Sequence, residues 1–163
     1  MKKGLLVATV LLAAVAAALP GAASSRPKSA GPLCRVPEPV LFTCKVGTKT
    51  VSVCGQEQGG AVYRFGRPGR VELEAADLHF AEKYFSGGGD MQVYADTPTQ
   101  RYIIYSQFIR TGFGEDGHFD PKETSGLVVQ SGGQIVSNRE CALPATFDQL
   151  TRTLVPAGDY VPH

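Results

Sequence analysis

A chain of 163 residues with 16 Lys and Arg against 15 Asp and Glu carries almost no net charge. No basic run stands out, which excludes a nucleic-acid binder built on clustered phosphate contacts. Its hydrophobic fraction of 43% is enough for one domain with its own core, and no internal repeat or charge block divides it.

In chain order, Lys2 and Lys3 precede an apolar run from Leu5 to Leu19, which Pro20 breaks and Gly21-Ala22-Ala23 follows. These are the charged, apolar and cleavage regions of a signal peptide, expected over 1–23. A membrane span needs about 18–20 apolar residues, and this run is shorter. Cys34 does not directly follow it as a lipobox requires, so no stable membrane anchor is expected after cleavage. The mature chain, with 14 basic and 15 acidic residues, is expected in the periplasm or outside the cell. It divides into a flexible lead-in over 24–37, one β domain over 38–155 and a tail over 156–163.

Apolar residues alternate with period two through most of the domain. Val40 to Val46 and Lys49 to Cys54 flank Gly47-Thr48, a hairpin signal. Gly60 to Phe65 and Arg70 to Ala75 flank Arg67-Pro68-Gly69-Arg70, whose Pro and Gly suit a type II turn. Ala76 to Phe85, with Leu78, Ala81 and Phe85 spaced by three and four, predicts a short helix or a covering loop. Met91 to Ala95 and Arg101 to Ile109 form a third hairpin, and Gly126 to Gln130 with Gln134 to Arg139 a fourth. Thr146 and Gln149 have capping-box spacing and predict a short helix over 146–154. About eight antiparallel strands result, and their exposed edges argue for a barrel or a tightly curled sandwich.

Four cysteines in an exported chain read as two disulfides. With a two-residue loop at Gly47-Thr48, Cys44 opposes Val51 and Cys54 opposes Leu41, so the two sulfurs point to opposite faces. If the first strand neighbours the last, Cys44 reaches Cys141 and pins the seam, which leaves Cys54 for Cys34. Zinc is the rival, but there is no C-x-x-C, and His79, His118 and His163 stand isolated.

Gly112 to Pro121, GFGEDGHFDP, contains G-x-G-x-x-G. A dinucleotide fingerprint needs a strand before it and a helix after it, and neither is expected here; Glu115 and Asp116 would also repel phosphates. The acids Glu115, Asp116, Asp120 and Glu123 suit calcium in kind but not in spacing, and a solvated connection is the favoured reading. Arg110 to Ser125 is nevertheless long for a β connection, which makes Phe113, Asp116, Phe119 and Asp120 candidate binding residues. No G-x-S-x-G or H-E-x-x-H occurs, Glu72 and Glu74 read as the wet face of a strand, and no cofactor or metal is expected.

LFTCKVGTKTVSVCG, AVYRFGRPGRVELE and GLVVQSGGQIVSNREC resemble a group of small exported Gram-negative proteins without an assigned activity. Phe42-Thr43-Cys44, Ser86-Gly87-Gly88-Gly89 and Cys141 also resemble the periplasmic and membrane-bound inhibitors of c-type lysozyme, which are eight-stranded barrels. That second resemblance implies that Ser86, Gly87, Gly88, Gly89 and Asp90 form an inhibitory loop, although Asp90 stands where the family has tyrosine and no lysine-glycine pair follows Tyr105. The leading expectation is an exported, non-enzymatic binding or structural domain with a protein partner in the cell envelope or beyond it. The alternatives are a glycosidase inhibitor and a hydrolase with scattered catalytic groups.

Overall fold

The computed structural model describes residues 31–163, so the expected signal peptide and residues 24–30 of the lead-in lie outside the described residues. Nine strands form two antiparallel meanders: β1 (Val40–Val46), β2 (Lys49–Gly55), β3 (Ala61–Arg67) and β4 (Arg70–Ala75) in one sheet, and β5 (Leu78–Phe85), β6 (Gly88–Asp96), β7 (Arg101–Phe113), β8 (Phe119–Ser131) and β9 (Gln134–Glu140) in the other. Their inner faces meet in one core, with Phe42, Val51, Val53 and Tyr63 from the first sheet against Phe80, Val93, Ile104 and Leu127 from the second. The molecule is an all-β sandwich. No helix among the described residues is long and apolar enough to cross a membrane.

Local chemistry sets the hairpins. Gly47 at φ +59 makes the two-residue β1–β2 turn and Cys44 pairs with Val51 as expected. Gly69, at φ +78, takes the left-handed place that a type II turn reserves for glycine. Cys54 faces Val40 and not Leu41, because a bulge at Leu41 shifts the register. The disulfides are Cys44–Cys141 and Cys34–Cys54, and two such bonds point to an oxidising compartment.

The sheet does not close into a barrel, and the reason lies in how the edges are covered. After β9 the chain runs along the β1 edge, where Ala142 N–H donates to the Lys45 carbonyl and Asp148 N–H to that of Leu41, each at 2.8 Å. It then reaches the β5 edge, where Phe80 N–H donates to Pro156 at 2.7 Å and Gly158 N–H to Phe80 at 2.8 Å. Two edges of the sandwich are thereby capped without closure.

Three local expectations are corrected. Residues 76–85 are mostly strand β5, since pairing with β6 along its full length, from Leu78↔Ala95 to Phe85↔Gly88, overrides the helical spacing. The helix expected over 146–154 shrinks to α1 (Thr151–Leu154). Phe147 is drawn out against Phe42, with ring centroids 4.8 Å apart, and Asp148, not Thr146, accepts from the Leu150 N–H. The tail over 156–163 is packed on the protein: Val161 is buried on the outer face of the second sheet with Tyr94, Ile103, Tyr105 and Val128. At the other end of the domain Leu33 is buried and Cys34 bonded, so residues 33 and 34 of the lead-in are anchored.

Candidate binding ribbon

The residues singled out in the sequence separate into two places. Arg110 to Ser125, expected as a loop, is mostly strand: β7 and β8 each run for 13 residues, with a register shift between Arg110 and Phe113 and a turn between Phe113 and Phe119. β6 stops pairing at Gly88↔Ile109, and beyond the bond from Arg110 N–H to the Gly87 carbonyl at 2.8 Å the outer ends of β7 and β8 pair only with each other. The result is a two-stranded ribbon that stands off the sheet and is exposed through most of its length.

Phe113 and Phe119 pair across this ribbon with ring centroids 4.4 Å apart, at 70% and 49% exposure. The Arg110 guanidinium lies 4.8 Å above the Phe119 ring. This cation–π contact and the ring stacking hold the aromatic face in shape although no core lies beneath it. The turn is ordered by its own hydrogen bonds. Gly114 N–H donates to His118 at 2.7 Å, Gly117 N–H to Gly114 at 2.9 Å, and His118 N–H to Asp116 Oδ1 at 3.0 Å.

Asp116 and Asp120 both approach Gly114. Among the described residues the metal-like grouping is Cys34, Glu38 and Cys54, and its sulfurs are already bonded to each other. Millimolar calcium is therefore expected to leave the thermal midpoint unchanged. A micromolar site at a thousandfold excess would add about 4 kcal/mol, so a clear stabilisation lost in Asp116→Ala would contradict this reading.

The second group, Ser86 to Asp90, is not one loop. Ser86 and Gly87 form the β5–β6 turn, while Gly88, Gly89 and Asp90 are buried within β6. The glycines serve close packing. A Cβ on Gly88 would collide with the Phe108 carbonyl oxygen, and one on Gly89 would meet the Phe108 and Tyr84 rings at 2.8 Å. Gly88→Ala is thus expected to cost about 1–3 kcal/mol of stability. Gly87→Ala, with nothing within 4 Å, should stay within about 0.5 kcal/mol. Urea titration of the two variants checks the contrast.

Asp90, the fifth residue of that stretch, takes part in a cluster that sequence reasoning missed. Its Oδ2 accepts from the Tyr160 hydroxyl at 2.7 Å and lies 3.4 Å from His163 Nε2, while its buried Oδ1 has no partner. Burial raises the Asp90 carboxyl above the usual aspartate range, against the opposing pull of Tyr160 and His163. His163 Nδ1 lies 3.3 Å from the Val161 carbonyl oxygen. Both ring nitrogens are therefore turned inward, and neither is free to take a proton from a substrate. His79 has Nε2 3.5 Å from Asp77 and its ring stacked on Tyr94 at 5.2 Å. The available signal was the period-two series Asp90, Gln92, Tyr94 on one strand face, which marks a polar face under cover. Nothing local tied it to Tyr160 and His163.

No family model, no curated protein and no solved structure matches this chain.

Proposed function

We propose that this protein is an exported, non-enzymatic binding domain that holds a protein partner of the cell envelope or its surroundings with the β7–β8 ribbon. The observation that carries this reading is the Phe113–Phe119 pair, in contact at a tilt of 30°, solvent-facing and braced by Arg110 on a ribbon that leaves the sheet. Aromatic anchors with a neighbouring arginine are the residues that most often dominate binding free energy at protein interfaces. The stiff ribbon keeps the ordering cost on binding low, and its acidic turn of Glu115, Asp116 and Asp120 would select a partner with a basic rim.

The test is a photo-reactive amino acid placed at Phe113 in the exported protein, compared with one at Gln58, exposed in the β2–β3 turn of the other sheet. A discrete adduct from position 113, competed by wild-type protein but not by a Phe113→Ser/Phe119→Ser variant, is the expected result. Equal adducts from both positions would reject the ribbon. The lysozyme-inhibitor alternative has less support, because only Ser86 and Gly87 of its loop are available in a turn. No inhibition of c-type lysozyme is expected, and submicromolar inhibition abolished by Ser86→Ala would replace the ribbon reading.

A further inference from the structure

We propose that the outer face of the five-stranded sheet is a binding groove for an extended peptide, filled here by the chain's own residues 160–163. Its preferred partner sequence is aromatic, aliphatic, proline, then a strongly basic residue. The proposal is independent of the ribbon.

The segment is held as a bound peptide is held. Gln92 grips both polar atoms of one backbone unit: its Nε2 donates to the Val161 carbonyl at 3.1 Å and its Oε1 accepts from the Val161 N–H at 3.0 Å, both buried. Gln130 Nε2 donates to the Pro162 carbonyl at 2.9 Å. The Val161 side chain fills a slot between Tyr94, Ile103, Tyr105 and Val128, and the two flanking side chains, Tyr160 and His163, converge on Asp90. Side chains of the sheet, not a strand ladder, supply these bonds. Such recognition reads an extended backbone irrespective of most of its sequence, with one apolar pocket and one acid for selectivity.

The groove is also incompletely satisfied. Asp90 is 1% exposed, and its Oδ1 has no hydrogen-bond partner, which leaves a buried acceptor that His163 does not serve. A guanidinium at that position presents two parallel donors and can serve both oxygens. Past His163 the groove opens into a concavity of about 220 Å³ lined by Gln107, Ile109, Lys122, Thr124, Asn138 and Glu140, which leaves space beside His163 for a longer side chain. An incoming peptide ending in arginine therefore has an interaction that the resident segment lacks. That difference is what displacement of a tethered occupant requires.

The experiment uses the full chain with a specific protease site inserted between Val155 and Pro156, cut only after folding. Before cutting, tethering holds the segment at an effective concentration of about millimolar, so a labelled peptide PAGDYVPH should hardly bind. After cutting it should exchange in at one to one. PAGDYVPR should bind at least about fivefold tighter, Asp90→Asn should erase that preference, and Gln92→Leu should weaken both peptides about tenfold or more. A second variant, the uncut chain with Val161→Asp, should bind PAGDYVPH but not PAGDYDPH. Failure of a folded cut chain to take up either peptide would overturn the proposal, as would binding indifferent to Gln92→Leu. Loss of the fold in both the cut chain and the Val161→Asp chain would overturn it too, by showing the segment to be an integral layer of the domain. Heterodimers on mixing Gln92→Leu with Val161→Asp chains, without peptide uptake, would make the occupant a second copy and reject the partner peptide.

Discussion

Replacing Cys44 and Cys141 together by alanine is expected to lower the unfolding free energy by about 4–5 kcal/mol, the largest effect of any paired change in this protein. The bridge closes a loop of 97 residues in sequence, and the entropy it removes from the unfolded chain grows with the logarithm of that length. Cys34–Cys54 spans only 20, for which the same relation gives about 3 kcal/mol. There is a structural reason for the same ranking. Cys44 lies in β1 of one sheet, and Cys141 directly follows β9 of the other, where its N–H donates to the Ser125 carbonyl of β8 at 2.8 Å. The long bridge thus joins the two layers, whereas the short one fastens the N-terminal segment to β2. Urea unfolding of the two double variants should give that order, and a larger loss for Cys34/Cys54 would show that the layers hold together without the long bridge.

Arg64→Met is expected to cost about 3 kcal/mol at neutral pH, because it strands acids that the arginine now neutralises. Arg64 is 1% exposed on the outer face of β3. Its guanidinium donates to both Glu38 oxygens, to Glu74 at 2.7 Å and to the Leu33 carbonyl at 3.3 Å. These bonds fold residues 33–38 over the first sheet and cover what is otherwise a solvent face. Hydrogen bonding from Arg64 is the main cause that lowers the Glu38 carboxyl below its ordinary value, with burial opposing it. Between the lowered folded value and the ordinary value near 4.5, the unfolded chain binds more protons. The Glu38 contribution is therefore fully present above that window and lost as pH falls through it. Asp90 works in the opposite sense. Its folded-state value is raised, so its contribution is greatest below the ordinary aspartate range and declines as pH rises through the folded value. Thermal midpoints from pH 2 to 7 should show a shallower acid loss in Arg64→Met than in the wild type, and a reduced decline toward neutral pH in Asp90→Asn. Adding Glu38→Gln and Glu74→Gln to Arg64→Met should recover most of the stability, since no buried charge is then left unpaired and only the exposed Arg35 loses its contact with Glu74. If the triple variant is no better than the single one, packing and not charge explains the loss.

What the sequence determined by itself is the part of this protein governed by neighbours in the chain. Gly47-Thr48 and Pro68-Gly69 each admit one turn geometry, and once a turn is set the period of two assigns every side chain of its hairpin to a face. That parity separated Cys44 from Cys54, and a neighbouring first and last strand then led to the observed disulfides; bulges near Leu41 and between Phe65 and Gly66 are the slips in register of these two hairpins. Phe113 and Phe119 were also legible as candidates, since two aromatics among glycines and acids have no core of their own to enter. The rest depended on pairings between residues far apart in sequence, where local pattern carries no information. Leu78 to Phe85 has the spacing of a helix but becomes a strand because β6 offers eight residues of backbone to pair with it. Open edges can be resolved by closing a barrel or by laying chain along them, and only the course of residues 141–158 along β1 and β5 selected the sandwich. The outer face of the second sheet was equally hidden: Asp90 was expected in an exposed loop, and Gln92 and Gln130 read as ordinary polar positions, until the segment around Val161 lies across them. Three hydrogen bonds on this face join residues 69, 70 and 32 positions apart, a separation at which only the folded chain brings donor and acceptor together.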